Sequence, residues 1–241
     1  MNHLHLEIIR PRGREPLVFE PRRMINAGYV GRDQSAVRHH IEELQREGVA
    51  PPPMVPMLFP MQCTLVTTAP CMETVEKRTS GEVEFVLIVL KDRILVGIGS
   101  DHTDRSLETT DILKSKQACP NMLGLTVWDY EDVRIHWDRL ELRSWVRDSP
   151  SHDWRLYQNA TVASILAPEQ IMDLVRTRVV DHLLDDTIIF SGTIPVVGGA
   201  VIYGMGFRCE LADPVLHRAL EYTYSIVHLG YLQPQLNSLR T

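Results

Sequence analysis

The chain has 241 residues, 44% of them hydrophobic and 23% charged, enough to bury a substantial core without disulfides or a structural metal. That composition, with no low-complexity tract, excludes a disordered or collagen-like chain. Acidic residues outnumber basic ones 31 to 25, and the net charge of −6 argues against non-specific nucleic-acid binding, which needs basic surface. The four cysteines, at 63, 71, 119 and 209, include no CxxC pair and no zinc-type spacing. The start, Met-Asn-His-Leu-His, lacks the basic and apolar run of a secretory signal. Free, mostly buried thiols in a cytoplasmic protein are therefore expected. Two charge-free stretches, residues 48–72 and 187–207, are long enough to cross a bilayer. Six prolines interrupt the first; five glycines and Pro195 interrupt the second, so no membrane span is expected.

In chain order, residues 3–9 alternate polar and apolar side chains, with Leu4, Leu6 and Ile8 on one face of a half-buried strand. Residues 16–20 and 24–30 are short strands beside it. The expected organisation is one domain over residues 1–241, with residues 1–26 as an N-terminal strand extension. Residues 33–47 switch to helical spacing, with Val37, Ile41 and Leu44 as the apolar stripe, Asp33 as N-cap and Gly48 as the stop. After a proline-rich connection, residues 64–68, 82–90 and 93–99 read as strands, the last two forming a hairpin through Lys91-Asp92. Residues 133–137 and 139–146 read as two more strands. Helical spacing returns at 168–176 and 214–227, each with a proline near its first turn, the second with Asp213 as N-cap. Residues 187–190 and 200–207 are β-branched runs. All four tryptophans lie between 128 and 154, which predicts a local aromatic cluster in the core. The sum is a β-rich α+β fold with helices at its margins.

Three groups of residues are equipped for chemistry. On a strand, positions i and i+2 share a face, so Glu82 and Glu84 present two carboxylates side by side. Two close like charges need a cation, a shared proton or free solvent. Asp101, just after the next strand of the hairpin, is placed to add a third carboxylate, a set suited to Mg²⁺ or Mn²⁺. On spacing alone, an exposed polar face of an edge strand is the commoner arrangement for two such glutamates. The first helix carries two overlapping His-x-x-Glu pairs, His39–Glu42 and His40–Glu43. At about 100° per residue, His40 falls about 60° from Val37, on the margin of the apolar stripe, while His39 points away from it. His40–Glu43 is therefore the better candidate for acid–base work, although such pairs are commonly surface contacts. Third, Ser191-Gly192-Thr193 at the end of an apolar run, followed by Gly198-Gly199, allows backbone N–H groups to approach an anion; a plain turn explains the same residues. No Gly-x-Ser-x-Gly elbow and no phosphate-cradling loop occurs.

These segments, in this order, resemble the fumarylacetoacetate hydrolase (FAH) superfamily. Its Gly-x-Asn-Tyr-x-x-His-x-x-Glu segment is similar to Gly31-Arg32-Asp33 through His40-x-x-Glu43. Its Glu-x-Glu strand is similar to Glu82-Val83-Glu84, and its Asn-Asp-x-Thr-Ala-Arg signature to Ser100-Asp101-His102-Thr103-Asp104-Arg105. A lysine-containing run ending in Cys-Pro resembles Lys114-Ser115-Lys116-Gln117-Ala118-Cys119-Pro120. A late Gly-Thr-Pro turn resembles Gly192-Thr193-Ile194-Pro195, with one inserted residue. The resemblance covers residues 27–230. In wording the motifs are closer still to an uncharacterised bacterial branch known as a domain of unknown function.

The resemblance implies an FAH-like mixed β-sandwich roll with a few peripheral helices, assembled as a homodimer. It implies a Mg²⁺ or Mn²⁺ ion held by Glu82, Glu84 and Asp101, and a small 2-oxo acid or 1,3-dicarbonyl substrate of the acylpyruvate kind. The implied reaction is hydrolysis of a C–C bond. His40, oriented by Glu43, would activate water; Lys114 or Lys116 would protonate the departing carbanion; Arg32, Arg105, Gly192 and Thr193 would position the substrate. Decarboxylation, hydration or isomerisation on the same site is the alternative within enzymes. A non-catalytic FAH-fold binding module is the alternative outside them, favoured by Pro60-Met61 where the family carries a lysine after Pro-x-x-Phe. Neither nucleic acid nor membrane is an expected partner.

Overall fold

A computed structural model describes residues 2–10, 13–46, 48 and 50–231, apart from the side chains of His40 and Leu44. The chain begins with β1 (Leu4–Arg10), β2 (Gly13–Phe19), β3 (Arg23–Gly28), α1 (Gln34–Arg46), β4 (Met57–Met61), β5 (Val66–Thr67) and β6 (Cys71–Thr74). A long hairpin follows, β7 (Thr79–Val89) and β8 (Ile94–Asp104), then α2 (Arg105–Glu108), α3 (Ile112–Gln117) and β9 (Asn121–Asp129). The remainder is β10 (Glu141–Arg147), β11 (Arg155–Thr161), α4 (Pro168–Arg178), β12 (Thr187–Phe190), β13 (Gly206–Asp213) and β14 (Arg218–His228). One sheet has the order β2-β1-β9-β8-β7-β12-β3-β4, with β5 beside β9; the other is β11-β10-β13-β14-β6. Both are mixed, and helices are few, as the sequence predicts.

The β7–β8 hairpin organises the interior. Its register runs from Thr79↔Asp104 to Val89↔Ile94, and alternation sorts its side chains onto two faces. Val83, Phe85, Leu87, Val96 and Ile98 pack toward the second sheet, against Leu142, Phe207 and Tyr224. Val86, Ile88 and Leu95 face the other way and join Leu6, Ile8, Phe19, Met24, Phe59 and Phe190. These partners come from both ends of one sheet because that sheet rolls up. Asn121 on β9 donates to Asn26 Oδ1 on β3 at 3.2 Å. In a flat sheet, four strand spacings would hold them about 19 Å apart.

Several elements form for reasons the sequence shows. Asp33 Oδ1 accepts from the N–H groups of Ser35 and Ala36, so α1 is capped as expected. Three expectations fail. Residues 214–227 are not a helix: Leu220, Tyr222, Tyr224 and Ile226 are buried in alternation along β14. There Asp213 accepts from Val215 and Leu216 N–H in the hairpin turn, and His217 adopts φ 51°. A side-chain cap serves a tight turn as well as a helix, and the period of two decides between them. Residues 133–137 are not a strand but lie mostly in a 3₁₀ segment, Arg134–Arg139, broken at His136. The tryptophans also divide. Trp128 and Trp137 are buried, the latter edge-on to Phe85 at 4.9 Å. Trp145 and Trp154 instead lie beneath Arg208 and Arg147, at 4.9 and 4.5 Å. All four cysteines are free; Cys119 and Cys209 are buried, Cys71 exposed. No described helix is long and apolar enough to cross a membrane.

Candidate metal centre

Toward its mouth, the inner face of the roll changes from apolar to acidic. Glu82 and Glu84 continue the row of Val86 and Ile88, and Asp101 lies directly across from Glu82 in the ladder. Like charges placed opposite one another repel. One carboxylate oxygen from each of Glu82, Glu84 and Asp101 lies within 4.8 Å of the others. Glu84 and Asp101 are each only 1% exposed, so the edge-strand reading of the two glutamates does not hold. Gly99, opposite Glu84, has no room for a side chain: a Cβ there would sit 2.6 Å from the Met122 carbonyl and 2.8 Å from the Phe190 ring.

Two cations enter from the segment that follows β8. The Lys116 ammonium on α3 bonds Asp101 Oδ2 and lies 3.5 Å from Glu82 Oε2. Arg105 donates from Nη2 to Glu82 Oε1 at 2.7 Å, from Nε to Ser80 Oγ at 2.7 Å, and from Nη1 to Glu108 Oε2 at 2.9 Å. Burial pushes the Glu82 carboxyl up, but Arg105 and Lys116 outweigh it and hold the group down at about 2. Glu84 makes no direct ion pair with either cation. Burial and the Asp101 charge push its carboxyl well above the usual range, against the nearby Lys116 charge and one N–H bond from Gly192 at 2.9 Å. Burial likewise raises Asp101 despite Lys116 and the neighbouring Asn26 amide; its Oδ1 is buried and makes no hydrogen bond of good geometry. Four carboxylates, Glu82, Glu84, Asp101 and Glu108, thus face two cations, so with all four ionised the cluster carries an excess of two negative charges. The raised Glu84 and Asp101 carboxyls show the cost of that excess when no further cation is bound. Three converging oxygen donors, one without a well-formed hydrogen bond, and an ionised state two charges in excess fit a hard divalent cation.

Neighbouring elements hold this cluster in place. Gly192, at φ 84°, follows β12; a Cβ there would meet Val30 at 2.5 Å and the Ala27 carbonyl at 2.8 Å. Only glycine lets this turn bring its N–H to Glu84. Gln158 on β11 reaches from the second sheet. Its Oε1 accepts from Val83 N–H at 3.0 Å and Ser144 Oγ at 2.9 Å; its Nε2 donates to Thr193 Oγ1 at 2.8 Å and the Ile194 carbonyl at 2.6 Å. All four hydrogen-bonding positions of this amide are filled. It fixes the residue between the two glutamates and the turn bonded to the second. Behind Asp101, Tyr224 OH lies 3.0 Å from both His102 Nδ1 and Ser100 Oγ, in the layer between the sheets. Sequence patterns miss Asn26, Asn121, Gln158 and Tyr224, because their partners are remote in the chain.

Of the residues singled out in the sequence, the fold brings together Glu82, Glu84, Asp101, Lys116, Arg105 and Gly192. Of the two candidate lysines, Lys114 is the one left out: it is exposed, with Nζ 2.9 Å from Asp111, the N-cap of α3. On a short helix, residues two apart point apart, so only one of the pair faces the carboxylates. Arg32 does not join them either. Its guanidinium is held by both Asp138 oxygens, at 2.6 and 2.8 Å, and by the Ile165 carbonyl. Thr193 is adjacent, with its hydroxyl donating to the Val83 carbonyl at 2.8 Å. The side chain of His40 lies outside the described residues, while Glu43 Oε1 is 3.2 Å from His39 Nε2.

The rolled sheet, its companion sheet and the carboxylate cluster at the mouth define an FAH-like architecture. The fold matches the solved structure of Cg1458 with a TM-score of 0.62 at 12% identity, covering 94% of this chain and 100% of that one. It matches a fumarylacetoacetate hydrolase from the psychrophile Exiguobacterium antarcticum with a TM-score of 0.57 at 12% identity, over 94% and 100% of the two chains. For a 2-keto-3-deoxy-D-arabinonate dehydratase complexed with magnesium and 2,5-dioxopentanoate, the TM-score is 0.55 at 17% identity, over 88% and 76%. No curated protein sequence matches the chain. Residues 27–224 match the family described as a protein of unknown function, DUF2848, and the chain belongs to that family.

Proposed function

We propose that the chain is a divalent-metal-dependent hydrolase that cleaves a C–C bond in a small 2-oxo acid of the acylpyruvate kind. The observation that carries this reading is the clustered set Glu82, Glu84 and Asp101, with Asp101 Oδ1 lacking a well-formed hydrogen bond and the four ionised carboxylates outnumbering their cations by two. The magnesium complex of the structurally similar dehydratase supports it. These three side chains would hold Mg²⁺ or Mn²⁺, which supplies Lewis acidity to adjacent 2-oxo and carboxylate oxygens. Lys116 Nζ, in contact with the carboxylates, holds the proton for the carbon that departs when the bond breaks. Arg105 keeps Glu82 ionised and oriented. Gly192 N–H and Gln158 fix Glu84 and its strand. His40, with Glu43, is assigned the water that attacks the distal carbonyl. The homodimer implied by the family resemblance completes the proposal, and light scattering of the purified chain tests it.

Turnover of an acylpyruvate in ¹⁸O-labelled water tests the reaction. Hydrolysis breaks the C–C bond, gives the electron pair to the methylene carbon of the pyruvate fragment, and places one labelled oxygen in the released acid. Release of two fragments with label in the acid is the expected result. An intact acylpyruvate, with loss of water instead from a hydroxylated 2-oxo acid offered in parallel, supports the second reading, a dehydratase like the magnesium-complexed neighbour. Absence of turnover with any 2-oxo acid, despite metal binding, supports a binding module.

A further inference from the structure

Beside the carboxylates lies a cavity of about 290 Å³ that the metal chemistry leaves unused. Its walls are the Pro51–Pro52–Pro53 run, Met57 and Phe59 around β4, and residues 108–112 between α2 and α3. Two of these residues also border the charged cluster. The Phe59 ring lies 5.8 Å from Lys116 Nζ, and Glu108 grips Arg105, which holds Glu82. The wall is built rather than incidental. Gly28 makes room for Phe59, since a Cβ there would lie 2.8 Å from its ring. Gln117 on α3 donates to the Pro60 carbonyl at 2.8 Å, tying the two sides together.

The lining decides what such a cavity accepts. Pyrrolidine rings, a thioether, a phenyl ring and Ile112 offer apolar contact. Its two carboxylates already have cations: Glu108 has Arg105, and Asp111 has Lys114 at 2.9 Å. Among the lining residues there is no Lys, Arg or His. A second substrate carboxylate placed here would lie beside two carboxylates with no cation of its own, at the rim of a cavity whose Pro51, Pro53, Thr109 and Thr110 are exposed. The volume is nearly twice the ~150 Å³ that accommodates benzene in an apolar protein cavity.

We propose that this cavity binds the distal, uncharged apolar end of a monoanionic 2-oxo acid, a short alkyl chain or single aromatic ring, and rejects substrates with a carboxylate at each end. The assignment rests on the 2-oxo acid reading of the adjoining site. Two uncleavable probes separate the claims: 4-phenyl-2-oxobutanoate, with an apolar end, and 2-oxoadipate, with a second carboxylate. Calorimetry with saturating Mg²⁺ is expected to show the phenyl compound binding roughly 100-fold more tightly. Placing a cation in the wall by Met57→Arg, or by Pro53→Arg should the first variant fold poorly, is expected to close most of that gap.

Equal or tighter binding of 2-oxoadipate overturns the proposal, as does a preference unchanged in a folded variant. Binding of neither probe overturns it together with the 2-oxo acid reading. The expected preference, found without cleavage of any acylpyruvate, upholds the cavity assignment and removes only the hydrolase reading.

Discussion

Gln158 shows how much of the candidate centre depends on one side chain that touches none of the carboxylates. Replacing it with Leu leaves the Val83 N–H without an acceptor and Thr193 and Ile194 without a donor. Each buried group left unsatisfied costs about 1–3 kcal/mol. Gln158→Leu is therefore expected to lose about 3 kcal/mol or more in urea denaturation and to weaken divalent-ion affinity. A variant within 1 kcal/mol of the parent, with unchanged affinity, contradicts this role. The carboxylates themselves were legible in the sequence in part: a period of two puts Glu82 and Glu84 on one face, but spacing alone favoured an exposed edge. The family resemblance is what grouped them with Asp101, which lies within β8 across from Glu82 rather than just past the strand. Arg105 and Lys116 were legible as residues, but not as cations spent on the carboxylates. Nor could spacing choose Lys116 over Lys114, because the choice depends on which side of α3 packs under the hairpin. Gln158 was illegible, since its partners lie 14 to 75 positions away.

Among elements, the β13–β14 hairpin shows why one segment misleads. A proline after Asp213 imitates a helix start, but the alternation from Leu220 to Ile226 is the stronger pattern. Asp213 also sets a pH dependence. Burial pushes its carboxyl up, but the Leu216 N–H, His136 and Arg218 outweigh it and hold the group below its usual 3.8. A carboxyl depressed by folding contributes stability that is complete above the unfolded value and lost as pH falls through the folded one. Asp213→Asn is expected to cost about 2 kcal/mol at pH 7 and progressively less below pH 3.8. Equal deficits at pH 7 and well below 3.8 would count against it.

The N-terminal hairpin gives a second test at this scale. β1 registers with β9 at only Glu7↔Thr126 and Ile8↔Val127, yet Leu4, Leu6, Ile8 and Phe19 fill the roll. If the hairpin is integral to the roll, Ile8→Ala should cost about 3 kcal/mol of global stability. An unchanged unfolding midpoint would mean that the hairpin unfolds independently.

At the scale of the whole molecule, fold class was readable because strand periodicity and the order of the motifs agree. The curl of the large sheet was not, because it is fixed by contacts such as Asn26–Asn121, separated by 95 positions. That curl turns an alternating strand face into an enclosed row of carboxylates. It also gives the net charge of −6 a local meaning, since the carboxylates gathered at one mouth, when ionised, outnumber their cations by two. An ion that binds only the folded chain must stabilise it, by about 2.7 kcal/mol at 100 times its dissociation constant. Thermal unfolding with and without Mn²⁺ is expected to show this increase.

The central claim is that these carboxylates are a metal site, and calorimetric titration of Mg²⁺ and Mn²⁺ tests it most directly. The parent chain should bind one ion per chain. The Glu82→Ala, Glu84→Ala double variant, verified as folded by circular dichroism, should bind none at that site; undiminished binding would contradict the account.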